Sequence, residues 1–357
     1  MEYRKLGRTG LAVSAIGLGT EHLEQSRETM EEVLRTAVDT GVNYIDMVYG
    51  NPEADAGFWD NFAPALRPYR DKLILAAHWG PSDLYDPDCC QRCFEDILAR
   101  VGNDYAEVAI LTVVDSEETW NGWARESLER LLRYKEQKRI GYIGMSGHTA
   151  CTAITAVNSG LVDVLMYPIN LIGHSDEDIS ALCQTCVDQA VGLVAMKPYH
   201  GGTLLFANGR PSGITPAQCL AYVLSLAVST TVPGAKNVEE FRATLRYLEA
   251  TNEEKEYRSV TANLHSLLAG QCTYCHHCVP CPQDIEIGWI IWHVDQARGG
   301  VTDELRGWYS GFPVKASACT ECGVCMERCP FDVDIIAKMR EAVEIFEAKA
   351  GQKQVQR

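Results

Sequence analysis

Eight of the fifteen cysteines in this 357-residue chain fall in two short runs toward its C-terminal end. CTYCHHCVPCP places Cys272, Cys275, Cys278 and Cys281 at two-residue gaps and adds Pro282. CTECGVCMERCP places Cys319, Cys322, Cys325 and Cys329 at gaps of two, two and three, again followed by proline. Gaps this short let three thiolates wrap one face of an iron–sulfur cube, while a fourth thiolate beside proline is directed to a neighbouring cube. The spacing predicts two [4Fe-4S] clusters, one on Cys272, Cys275, Cys278 and Cys329, the other on Cys319, Cys322, Cys325 and Cys281. A pair of zinc sites is the alternative, since C-x-x-C pairs also bind zinc. Zinc needs only two such pairs per site, which leaves the triple run before Cys-Pro without a reason. The first run is one residue shorter before its last cysteine than the second. Cysteines gathered in this way favour metal in a reducing cytoplasm over a disulfide scaffold.

A second set of polar residues stands at the ends of apolar runs. Leu73-Ile74-Leu75-Ala76-Ala77 leads into His78, Tyr44–Met47 contains Asp46 and is followed by Tyr49, and Val108–Val114 contains Thr112. Ser146 to His148, Asn170, and Lys197 to Gly202 follow such runs in the same manner.

The elements that must position these residues alternate in type. Strands are expected at Val13–Gly19, Tyr44–Met47, Leu73–Ala77, Val108–Val114, Tyr142–Ser146, Val162–Tyr167, Leu193–Lys197 and Thr230–Pro233. Amphipathic helices separate them: in SRETMEEVLRTAVDTG, Met30, Val33, Leu34 and Ala37 recur at helical spacing and Gly41 stands where the helix should end. Thr215-Pro216 is a helix cap followed by proline at the first helical position. Eight strands alternating with helices imply a closed (β/α)8 TIM barrel, an α/β fold. A doubly wound open sheet would show a G-x-G-x-x-G turn after its first strand, where this chain has GLGTEH. In a barrel the active site lies at the C-terminal ends of the strands, where these polar residues are expected. The alternation stops beyond Gly270, so two domains are expected: a barrel over 1–265 and a small, α-helical, ferredoxin-type 4Fe-4S domain over 266–357. Cys89, Cys90, Cys93, Cys183 and Cys186 fall in expected helices as small packed thiols. Ile335, Ile336, Met339, Val343 and Phe346 form a stripe read as packing surface.

A hydrophobic content of 46% over this length can bury a large core. The net charge of −16 argues against nucleic acid or an anionic membrane as partner. No apolar run reaches bilayer-spanning length, and the first residues lack the apolar core and cleavage site of a secretory signal. The expectation is a cytoplasmic protein acting on a small molecule.

YRKLGRTGLAVSAIGLGT, GVNYIDMVYG, KRIGYIGMSGH, AMKPYHGG and VPGAKNVEEF, in this order, resemble the aldo-keto reductase family. The second cysteine run has the spacing of bacterial ferredoxins, so the likeness is to the bacterial branch with a C-terminal ferredoxin-type extension. The resemblance implies a (β/α)8 barrel that reduces carbonyls with NADP(H). It implies a tyrosine proton donor supported by an aspartate, a lysine and a histidine. Asp46 and Tyr49 match in IDMVY, but His78 stands where the family has lysine, and Thr112 where it has histidine. Tyrosine, with a reference pKa near 10, needs a nearby cation to exchange its proton readily. Lysine supplies that charge permanently, whereas His78 supplies it only when protonated. Thr112 keeps one hydroxyl donor and is expected to contact substrate. His22, His148 and His200 are expected near the same mouth.

For the cofactor, the resemblance implies Ser146 at the nicotinamide, although Gly147 replaces the usual asparagine. Asn170 and Lys197, at the exits of the sixth and seventh runs, are placed with it. PGAKN resembles the loop that grips the adenosine phosphate, with Gly234 allowing backbone approach, Lys236 supplying charge and Asn237 capping the next helix. The glutamate and asparagine that many members place on the adenine are replaced by FRATL.

Hydride carries two electrons together, while a [4Fe-4S] centre carries one. Three functions stay open at this point. The first is an iron–sulfur reductase using NADP(H) on a carbonyl or hydroxyl compound, with Tyr49, Asp46, His78 and Thr112 as its catalytic set. The second is a cluster-containing barrel enzyme without nicotinamide, either a lyase or an enzyme exchanging electrons with ferredoxin or another carrier. The third is an electron-transfer module whose reductase activity has lapsed.

Overall fold

The computed structural model describes residues 1–48, 56–80, 85–102, 104–207 and 209–348. They form two compact units, one of Met1–Gly202 with Ile214–Thr261, the other of Thr203–Gly213 with Ala262–Arg357.

In the first unit, helix Arg27–Asp39 begins where the Ser26 hydroxyl accepts the Thr29 amide at 3.0 Å. It buries Met30, Val33, Leu34 and Ala37, the residues picked out by helical spacing, and Gly41 follows it at φ 88°. Helix Pro216–Ser225 begins in a capping box between Thr215 and Gln218. Such devices leave few orphan amides at the helix starts.

Eight parallel strands run Leu18–Gly19, Tyr44–Met47, Ile74–Trp79, Ala106–Leu111, Ile140–Ser146, Val164–Pro168, Gly192–Met196 and Thr230–Val232, each paired with the next in sequence. The isolated parallel bridges Ile16 to Thr231 and Gly19 to Gly234 bring the last strand to the first, so the barrel is nearly closed. Gly19 is required there, because a Cβ would lie 2.9 Å from the Val232 carbonyl oxygen.

Most expected strands shift by one or two residues, the third running through His78 to Trp79, and two differ more. Val13–Gly19 is not one strand: Ala12–Ser14 pairs antiparallel with Tyr3–Lys5, and only Leu18–Gly19 joins the barrel. The chain turns between them, where Asn43 Oδ1 accepts the Ser14 amide at 2.7 Å and the Ser14 hydroxyl donates to the Ile16 carbonyl at 2.8 Å. The fourth strand ends at Leu111 rather than Val114, because Val113 has φ 53°, which a strand does not accept.

Tyr44, Ala76, Val108, Ile110, Val164, Met166, Val194 and Val232 pack in one core cluster. Strand side chains alternate between faces with period two. Asp46, His78 and Thr112 are therefore the next residues on the face of Tyr44, Ala76 and Ile110, one step further toward the C-terminal end of the barrel.

The opposite end carries a charged latch. Asp163 accepts from Arg8 Nε at 3.0 Å, Lys135 Nζ at 2.8 Å and the Ile143 amide at 3.2 Å. Burial alone would raise its pKa, but the lysine, the amide and the arginine outweigh it and hold the carboxyl below its ordinary value. A depressed folded-state pKa gives stability that is present above the unfolded value of about 4 and is lost as pH falls through the folded value. Urea midpoints of the wild type should drop across that acid range. Asp163→Asn should be less stable at neutral pH and show a shallower acid dependence; an unchanged slope would remove Asp163 from the account.

In the second unit, helices Ile287–Ala297, Asp303–Ser310 and Ile335–Ala342 bury Ile287, Ile290, Ile291, Val294, Leu305, Tyr309, Ile335 and Met339. Phe346 stacks on Tyr309 with centroids 4.3 Å apart, so members of the C-terminal apolar stripe serve packing. Among the described residues no helix is long and apolar enough to cross a membrane.

Candidate functional site

Three of the residues expected to do chemistry meet at the barrel mouth. His78 Nε2 lies 3.1 Å from Asp46 Oδ1, and His78 Nδ1 lies 3.3 Å from Thr112 Oγ1. All three are buried, with Asp46 and His78 each 3% exposed. Tyr49 lies outside the described residues. Thr112, expected to meet substrate, instead spends its hydroxyl inside the protein, 3.0 Å from the Gly80 carbonyl and 3.4 Å from that of Trp79. It stands one residue beyond its strand, which turns the hydroxyl back toward His78. If its single hydrogen goes to Gly80, both ring nitrogens can donate and the imidazolium is satisfied. If the hydrogen goes to His78 Nδ1, the neutral ring is satisfied with Nε2–H on Asp46. Rotation of one hydroxyl therefore accommodates a proton arriving at or leaving His78.

The expected cofactor contacts are occupied in specific ways. Ser146 is buried, accepts the Val113 amide at 3.0 Å and lies 3.4 Å from the Leu111 carbonyl. Asn170 Nδ2 lies 3.2 Å from both the Lys197 carbonyl and His200 Nδ1, while its Oδ1 accepts the Ile172 amide at 3.0 Å. Asn237 caps helix Val238–Leu245 through the Glu240 amide at 3.1 Å. The Glu240 carboxylate accepts the Lys236 amide at 2.8 Å, so an acidic side chain holds one of the loop's donors. Gly234 and Lys236 remain exposed.

A further line of groups crosses the same mouth. Lys197 Nζ lies 2.9 Å from His148 Nε2, and His148 Nδ1 lies 3.0 Å from Asp115 Oδ2. Lys197 and His148 were legible as polar residues following apolar runs, but Asp115 was missed. The same signal marks it, since it follows Val113-Val114 in TVVDSEE.

In the second unit the cysteines of both runs surround two open cavities. Cys272, Cys275, Cys278 and Cys329 line one. Cys281, Cys319, Cys322 and Cys325, with Cys278 at its edge, line another. The loops carry left-handed residues at Tyr274, His276, Glu321 and Gly323, and the Gln283 and Glu321 amides lie 3.4 Å from the Cys281 and Cys319 sulfurs. Burial pushes the Cys272 thiol up to about 12 and the Cys278 thiol up to about 11, so ligation there requires a cation to compensate each thiolate. Among the described residues no three His, Cys, Asp or Glu side chains converge as one metal ion requires. Ligands of a cubane bind separate irons and have no such need.

Cys90, Cys93, Cys183, Cys186 and Cys219 are buried as packed thiols, whereas Cys89 is half-buried and Cys151 exposed. Cys90 and Cys93 are buried in helix Pro87–Val101, which Asp86 caps, and desolvation raises their pKa to about 11 and about 12.

Comparison with known proteins decides the family. Residues 15–218 match the model of the aldo/keto reductase family. The chain belongs to the aldo/keto reductase family. It is 26% identical over 231 residues to L-glyceraldehyde 3-phosphate reductase of Escherichia coli K12, covering 59% of this chain and 66% of that protein. It is 32% identical over 124 residues to 6-dehydroglucose reductase of Novosphingobium aromaticivorans, covering 30% of this chain and 40% of that one. The chain thus spans just under two thirds of the first of these relatives and less of the second. The holo form of an aldo-keto reductase from Bacillus halodurans shares the fold, with TM-score 0.60 and 20% identity over 73% of this chain and 96% of that one.

Proposed function

We propose that this aldo/keto reductase is an iron–sulfur oxidoreductase acting on a small carbonyl or hydroxyl compound. Residues 266–357 form its ferredoxin-type domain. The observation that carries the iron–sulfur assignment is the grouping of cysteines from both runs around each cavity, as the exchange of fourth ligands requires. Cys272, Cys275, Cys278 and Cys329 hold one cluster; Cys319, Cys322, Cys325 and Cys281 hold the other. When bound, such clusters supply single-electron transfer.

At the barrel mouth, Tyr49 is the acid/base for the substrate oxygen. Asp46 orients His78, and His78 supplies the positive charge that lowers the cost of moving the tyrosine proton. Thr112 acts through His78 by rotating its hydroxyl between acceptors. NADP(H) is the proposed hydride source, with the backbone of Gly234 and the Lys236 ammonium toward its phosphate and Asn237 holding the helix behind them. The relatives' names point to sugar-like aldehydes as the first substrates to try.

One set of observations favours a second function, electron exchange with ferredoxin or a similar carrier without nicotinamide. The Ser146 hydroxyl, the Asn170 amide and the Lys236 backbone amide are already bonded within the protein. Anaerobic titration of the iron-replete protein with NADPH, followed by its fluorescence, separates the two. The first requires saturable binding and consumption of NADPH with a hydroxyaldehyde or keto-sugar. Absence of both, with reduction of the same compounds by chemically reduced ferredoxin, establishes the second.

A further inference from the structure

Three strand exits contribute to one line of side chains. Asp115 follows the fourth strand, His148 the fifth and Lys197 the seventh. Asp115 accepts both the His148 ring, at 3.0 Å, and the His148 backbone amide, which fixes the orientation of the imidazole. With Asp115 ionised, His148 Nδ1 carries the hydrogen between them, and the Nε2 lone pair faces Lys197 Nζ at 2.9 Å. A base aimed at an amine, and a carboxylate orienting the base, is the arrangement that activates nucleophiles.

The surroundings suit that role. Lys197 retains an exposed face, yet protein atoms crowd its ammonium, and this desolvation draws its pKa below the ordinary lysine value against the pull of Glu21 and Asp115. Burial would raise Asp115, but His148 and Lys197 outweigh it and hold the carboxyl low, so it stays ionised. Lys197 has φ 54°, a costly conformation for a side-chain-bearing residue, and Asn170 Nδ2 lies 3.2 Å from its carbonyl.

We infer that Lys197 is a nucleophilic amine that condenses with carbonyl compounds at the barrel mouth to form an imine. This activity is separate from hydride transfer and rests on neither NADP(H) nor the clusters. His148 Nε2 first takes a proton from the Lys197 ammonium. The freed nitrogen pair forms a C–N bond while the carbonyl π pair moves to oxygen, which takes the proton back from His148. His148 then removes a second proton from nitrogen and delivers it to the hydroxyl, which leaves as water as C=N forms. The ammonium and the carbonyl become a protonated imine and one water, with no net oxidation or reduction.

The test uses the full chain, D,L-glyceraldehyde as probe and sodium cyanoborohydride as trap, with modified lysines located by peptide mass spectrometry. Lys197 should be trapped ahead of the exposed Lys5 and Lys72. His148→Asn should slow trapping at Lys197 by about 10²-fold while leaving Lys5 and Lys72 unchanged. Asp115→Asn, which keeps a polar side chain at that place, should slow it in the same selective way. Lys197→Arg should remove the product while preserving the charge. The inference is overturned if wild-type Lys197 reacts no faster than Lys5 and Lys72, a comparison that needs no variant to fold. It is also overturned if folded His148→Asn traps at the wild-type rate. Failure here leaves NADPH consumption untouched, and failure of reduction leaves this trapping untouched.

Discussion

Cys329→Ser should remove the same cluster as Cys272→Ser, although the two residues belong to different cysteine runs. Cys281→Ser should likewise match Cys322→Ser. Each variant would keep about four of the roughly eight iron atoms that two cubanes contain. Cys329 lines the cavity of the first run and Cys281 that of the second, so each loss crosses from one run to the other. Iron and sulfide analysis after anaerobic reconstitution gives the stoichiometry. Electron paramagnetic resonance of the dithionite-reduced variants then shows which cluster survives. Identical spectra for Cys329→Ser and Cys272→Ser are expected. If Cys329→Ser instead resembled Cys322→Ser, each run would ligate its own cluster and the exchange would be wrong. Tight binding of one zinc per run, with no iron retained, would discard the clusters altogether.

The second large effect is at His78. Its ring is the partner that the structure gives Asp46 Oδ1, and both side chains are nearly sealed from water. His78→Ala would leave a buried carboxylate facing a cavity. Leaving a buried hydrogen-bonding group without its partner costs about 1–3 kcal/mol. Reductase turnover should fall by about 10²–10⁴-fold, the range for losing a group that assists proton transfer. His78→Lys places a permanent cation at this position, as the family resemblance implies, and it should retain activity well above the alanine variant. Steady-state kinetics and urea midpoints on the two variants separate charge from packing. If His78→Ala turned over at the wild-type rate, His78 would be a packing residue and proton transfer would have to be assigned elsewhere.

These two sites differ in how far the chain's order alone reveals them. A thiolate run is local: its ligands are three or four residues apart, and the proline after the last one is a neighbour in sequence. Cys272 to Cys281 and Cys319 to Cys329 could therefore be proposed as ligands from spacing. The pairing of Cys329 with the first run already called on two loops meeting in space. Barrel strands were equally legible where period and composition agreed, as in Tyr44–Met47, whose bounds are those expected. They were misjudged where a turn interrupts an apolar stretch, as at Ser14–Ile16 and at Val113, because hydrophobicity does not report a side-chain hydrogen bond or a left-handed φ.

Asp46, His78 and Thr112 were each marked by following a buried run, and period-two alternation explains why they share a face. That Thr112 turns inward, and that Ser146 and Asn170 commit their polar groups to the protein, depends on distances of a few tenths of an ångström between neighbouring strands. Asp115, His148 and Lys197 make the same point more strongly, since 33 and 49 residues separate the bonded partners. Residue type and short-range spacing therefore carried the barrel fold, the proposed ligand cysteines and the pair at 78 and 112. The orientation of His148 between a carboxylate and an amine came only from closing the sheet into a barrel, because barrel closure brings strand exits distant in sequence to a common mouth.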